Sequence, residues 1–102
     1  MFNLFSKKIR CATRSPKWST VRKKHLEQNP ICIACGKKKQ LEVHHKKPVH
    51  IHPELELDPL NLVTLCSSPC HIIFGHLMDW KSWNISVEMD ATVYYNKVKN
   101  KP

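Results

Sequence analysis

The chain has 102 residues, with 17 Lys or Arg against eight Asp or Glu, for a net charge of +9 with histidine neutral. That length holds one domain with a small core, of the size that often needs a metal or disulfide staple, and it contains no apolar run long enough to span a membrane. The positive excess favours a polyanionic partner, nucleic acid or an anionic membrane surface.

Residues 1–13 read as a flexible basic lead-in. Lys7, Lys8 and Arg10 are followed by no apolar stretch, so the expectation is a cytoplasmic chain with reduced thiols. In that setting paired cysteines are metal ligands, and Cys11, left over from the pairs, is a free thiol. Ser15-Pro16 predicts a helix start, with Ser15 as N-cap and Pro16 at the first helical position. Trp18, Val21, His25 and Leu26 recur at helical spacing, and Arg22, Lys23 and Lys24 fall mostly on the other face, where they are available to phosphates. Asn29-Pro30 ends the helix. Cys32-x-x-Cys35-Gly36 follows as a metal knuckle, the glycine permitting a tight turn. Leu41, Val43 and His45 alternate with Gln40, Glu42 and His44, the period-two pattern of a strand closed by Lys46-Lys47-Pro48. After a loop with three acids, residues 60–65 predict a second strand. Ser68-Pro69 is a second helix start, leading into a short apolar helix over 70–80 that Gly75 weakens or bends. Beyond Lys81 the pattern fades: Trp83, Ile85 and Val87 are packing candidates, residues 91–98 a weak terminal helix, and 97–102 a frayed basic end.

Cys32, Cys35, Cys66 and Cys70 form two pairs with zinc-site spacing. A structural Zn²⁺ there staples the first strand to the last helix and contributes folding energy rather than catalysis. His44 and His45 are consecutive on a strand and so point to opposite faces, which lets one bind a second metal while its neighbour does something else. His71 directly follows a zinc cysteine, and two antiparallel strands crossed by a helix would bring it to His44. His50 and His52 are reserve candidates in the loop.

Cys32-x2-Cys35, Val43-His44-His45-x-x-Pro48, Asn61-Leu-x-x-Leu-Cys66 and Cys70-His71, in that order, resemble the HNH endonucleases. The likeness is greatest to the small zinc-stapled members of bacteria and tailed phages, and it runs from about Trp18 to His76. It implies an α+β fold with a ββα-metal (His-Me finger) core, a four-cysteine zinc staple and an N-terminal flanking helix. The nuclease domain would occupy 14–83, with 84–102 as a C-terminal extension. By the same resemblance His44 is a metal ligand, His45 the general base, Asn61 the brace of the loop between the strands, and His71 the second ligand. Most members have Asp at the first position; His, as in colicin DNases, shifts the preferred catalytic metal from Mg²⁺ toward Zn²⁺, Ni²⁺ or Mn²⁺. The third ligand of His-rich members falls one helical turn after the second, which here is Gly75. His76, one residue further, becomes a ligand if the helix bends at Gly75; otherwise water fills the place. Phe74 stands where many members have Lys, so the expected phosphate contact passes to Lys46, Lys47 or Lys81. The implied activity is metal-dependent hydrolysis of DNA phosphodiester bonds, leaving a 5′ phosphate and a 3′ hydroxyl, and phage members often work beside packaging proteins. The competing reading is a non-catalytic zinc-stapled nucleic-acid-binding module, against which the His44, His45, Asn61 and His71 set speaks. A disulfide-rich secreted protein is disfavoured by the odd cysteine.

Overall fold

Two antiparallel strands carry the site. The structure, a computed structural model, describes residues 14–99; the lead-in 1–13 with Cys11, and residues 100–102 of the basic end, lie outside it. Helix α1 (Trp18–Gln28) precedes β1 (Leu41–His45). Short 3-10 turns at Pro53–Leu55 and Pro59–Asn61 lead to β2 (Leu62–Cys66). A single π turn (His71–Gly75) and helix α2 (Val87–Lys99) complete the described chain. The strands pair from Leu41 opposite Cys66 to His45 opposite Leu62. This is the expected α+β fold, with the four cysteines gathered as a zinc staple requires.

The core consists of Cys32, Ala34, Val63, Leu65, Cys66, Cys70, Val87 and Ala91, with Ile33, Leu41 and Phe74 packed around it. β2 is buried along its whole length, whereas β1 is fully buried only at His44 and His45. Gly36, at φ +80°, makes the tight turn of the knuckle. The Gly36 N–H donates to the Cys32 carbonyl at 2.9 Å, and the Ile33 N–H docks the knuckle on β2 through the Thr64 carbonyl at 3.0 Å.

Several local expectations change. Ser15 is not the N-cap of α1: Lys17 holds that place, without a side-chain cap. Ser15 Oγ instead accepts the Lys17 N–H at 3.1 Å, so Ser15-Pro16 forms a turn feeding the helix. The helix ends at Asn29, whose N–H and Nδ2 both donate to the His25 carbonyl, at 2.8 and 3.1 Å. Trp18, Val21, His25 and Leu26 are half-buried, and no residue of α1 is fully buried. β2 starts at Leu62 because Asp58 caps a 3-10 turn before it, its carboxylate accepting the Leu60 N–H at 2.9 Å. The helix expected over 70–80 is only the five-residue π turn, because Leu77 and Met78 adopt left-handed backbone (φ 55° and 69°) that no right-handed helix continues. The terminal helix starts four residues earlier than expected, and Val87 and Ala91 place it in the common core. Acids in its first turn and lysines in its last complement the helix dipole. Among the described residues no helix is long and apolar enough to cross a membrane.

Candidate active site and metal centres

The four cysteine sulfurs lie within 4.8 Å of one another. Cys35 and Cys66 Sγ are 3.8 Å apart, about the ~3.8 Å edge of a tetrahedron with Zn–S bonds near 2.3 Å. Cys32, Cys66 and Cys70 are buried and Cys35 is exposed. Burial pushes the Cys70 thiol up. Burial pushes Cys32 up as well, but backbone N–H groups of Cys35, Cys66 and Ala34 facing its sulfur outweigh that and hold it below the usual thiol value. Four converging reduced thiols, one of them with its pKa lowered by its surroundings, fit a structural Zn²⁺.

His44, His71 and His76 form the second group, with one ring nitrogen of each within 4.8 Å of the others. β1 delivers His44, and the π turn delivers the other two. In a π turn residues five apart are bonded neighbours, so His71 and His76 meet where an α-helix would splay them. Their Nε2 atoms are 3.2 Å apart, and His44 Nδ1 is 3.1 Å from His71 Nε2. The outer nitrogens are tied off: His71 Nδ1–H donates to the Glu42 carboxylate at 2.7 Å, and His76 Nδ1–H to the Ser82 carbonyl at 2.7 Å. With those tautomers set, two Nε2 lone pairs face each other, an arrangement a cation relieves and a hydrogen bond does not. His44 Nε2 is buried without a hydrogen-bond partner among the described residues. Burial, then the neighbouring His71 and His76 rings, lower the His44 pKa to about 3, which keeps it in the neutral, ligating form. Nitrogens 3.1–3.2 Å apart fit adjacent ligands at metal–nitrogen bonds of about 2.0–2.1 Å. Gly75 makes this possible. A Cβ there would stand 2.9 Å from His44 Cε1, so the His44 ring fills the space a side chain would take.

His45 turns to the other face of β1, against the Trp18 ring at 4.7 Å. It is 8% exposed. Its Nε2–H donates to the Glu56 carbonyl at 2.9 Å, leaving Nδ1 as the acceptor. Burial lowers its pKa, the Glu56 carbonyl opposes, and Arg14 adds to the lowering, so the ring is neutral at neutral pH. Asn61 grips the loop between the strands: its Oδ1 accepts the Lys47 N–H at 2.9 Å, and Nδ2 donates to the Lys47 and Leu55 carbonyls at 3.1 and 3.2 Å.

A cavity of about 400 Å³ is bordered by His44, His45, His71, His76, Arg14 and Lys81. Lys46 is held by Glu88 at 2.8 Å, and Lys47 borders a different cavity, so of the three lysines expected near a phosphate only Lys81 borders this one. His50 borders it too, edge-on to Trp83 at 6.0 Å, while His52 pairs with Glu54 at 3.4 Å; among the described residues neither joins a metal group. Sequence reasoning passed over Arg14, Glu42, Glu56 and Ser82. Strand alternation carries a signal for Glu42, which shares the face of His44 two residues on; nothing local marks Arg14.

Comparison with curated proteins and with solved structures gives no match. The family model described as HNH endonuclease matches residues 32–74, from the first zinc-type cysteine into the π turn, in agreement with the resemblance carried by the cysteine and histidine motifs.

Proposed function

We propose that this protein is a metal-dependent endonuclease hydrolysing DNA phosphodiester bonds, with His45 as general base. The observation that carries the reading is one cavity bordered by two kinds of histidine. His71 and His76 have their outer nitrogens tied off and their inner lone pairs converging beside His44, and His45 has the opposite tie and a free Nδ1. A non-catalytic binding module has no need of both.

In this reading His44, His71 and His76 hold a divalent cation, which when bound neutralises charge on the scissile phosphate and the departing oxygen. Three imidazoles favour Zn²⁺, Ni²⁺ or Mn²⁺ over Mg²⁺. His45 Nδ1 takes the proton of the attacking water, its ring kept neutral by burial and its direction set by the Glu56 carbonyl. Asn61 steadies that carbonyl through the adjacent Leu55 and Lys47 backbone. Arg14 and Lys81 reach phosphate oxygens from the cavity wall. The net charge of +9 draws in the polyanion.

The test is supercoiled-plasmid cleavage by zinc-loaded protein with Mg²⁺, Mn²⁺, Ni²⁺, Zn²⁺ or no added metal, beside His45→Ala matched for zinc content. Metal-dependent nicking that falls by about 10²-fold or more in the variant is expected for loss of a general base. DNA retardation without cleavage of plasmid or of single-stranded DNA in any metal, equal in both proteins, would establish the binding module instead.

A further inference from the structure

We propose that Trp80 forms a nucleobase-stacking subsite beside the three-histidine centre, so that the substrate is DNA with an unpaired nucleotide at the cleavage position rather than continuous duplex. The proposal rests on the nuclease reading and names its substrate class.

Trp80 abuts two of the three histidines, its ring 5.3 Å from His71 at 83° and 4.8 Å from His76 at 54°. It is nevertheless 61% exposed and borders the same cavity as Arg14, Lys81 and Trp83. A lone exposed aromatic is ordinary; this one is put in place by strained backbone. Leu77 and Met78, both with left-handed backbone, turn the chain back just before it. Their own side chains are exposed, so the corner is not made to bury them. It is held by the Met78 N–H on the Ile72 carbonyl at 2.8 Å and the Asp79 N–H on the His76 carbonyl at 3.0 Å. Its product is the placement of Trp80 and Lys81 beside the histidines.

The chemistry of the wall identifies the occupant. Among the described residues no Asp or Glu borders the cavity, while Arg14 and Lys81 do. Aromatic surface joined to cationic surface matches a nucleotide, which is a base attached to a phosphate. The volume suits a small ligand. In continuous duplex both faces of each base are covered by its neighbours, so a tryptophan stacks only on a base that has left the helix or never entered one.

The experiment measures binding by fluorescence anisotropy with zinc-loaded His45→Ala protein and no added catalytic metal, which separates recognition from cleavage. The probes are a labelled single strand, the matching duplex, and the duplex with an unpaired bulge. Adding Trp80→Ala is expected to weaken single-strand and bulge binding by about tenfold and duplex binding by less than about twofold, with Trp80→Phe retaining most of the affinity. Zinc content and thermal melting of each variant establish that the fold is intact. Equal losses on all three probes, or no loss on any, would overturn the subsite. Plasmid and oligonucleotide cleavage on the His45 background distinguishes the two readings. Cleavage that ignores Trp80 and strandedness leaves the nuclease and removes the subsite; Trp80-dependent single-strand binding without cleavage in any metal leaves the subsite and removes the nuclease.

Discussion

Gly75 shows how one residue changes meaning between sequence and structure. By helix propensity it is a weak point, a place for a bend. In the fold it is the gap that the His44 ring occupies, with its carbonyl also accepting the Asn84 N–H at 2.9 Å. Gly75→Ala should therefore push His44 out of line while leaving the cysteines untouched. Calorimetric titration of zinc-stapled protein with Mn²⁺ or Ni²⁺ should show affinity at the histidine centre reduced by about tenfold or more, the order seen when the surroundings of a metal ligand are disturbed. The need for glycine was not legible because the two residues that meet are far apart in sequence, and local pattern carries no record of close approach. His44 and His45 were legible, since two faces of a strand follow from adjacency alone.

At the scale of elements, β1 was readable from its alternating side chains to within one residue, Gln40 falling outside the strand in left-handed backbone (φ 54°). The π turn was not. Its wider bonding depends on the left-handed corner after it and on the histidines it must gather, and no propensity encodes either. His76, doubtful as a ligand on α-helical geometry, lies beside His71 for that reason. The connection between β1 and β2 depends on Asn61, buried and using both ends of its amide on loop backbone. Asn61→Ala leaves the Lys47 N–H and two carbonyls without this partner. The expected cost is about 1–3 kcal/mol, read as a lower urea midpoint. Cleavage should fall further than stability explains, because the Glu56 carbonyl that directs His45 lies in the freed loop.

At the scale of the molecule, three of the eight core residues among the described residues are cysteines of the staple. An apolar interior built around them leans on the staple for its stability. Removing zinc with a strong chelator under reducing conditions should abolish the cooperative thermal transition followed by circular dichroism. Returning Zn²⁺ should restore it and Mg²⁺ should not. The staple was legible from cysteine spacing, but the share of α2 in the core was not: among its thirteen residues only Val87 and Ala91 are buried, too few to make a periodic stripe.

Cys70 and His71 are consecutive, so the last ligand of the staple and the first histidine of the π turn share a peptide bond. A Zn²⁺ held by the sulfurs would fix the backbone from which His71 projects and so lower the ordering cost met at the histidine centre. Linkage then runs both ways: whatever factor zinc adds to affinity at the histidines, a cation at the histidines adds to the retention of zinc. With both groups loaded, the two sites would form one cooperative unit, and the supply of the first metal would set how much of this protein is competent to take up the second.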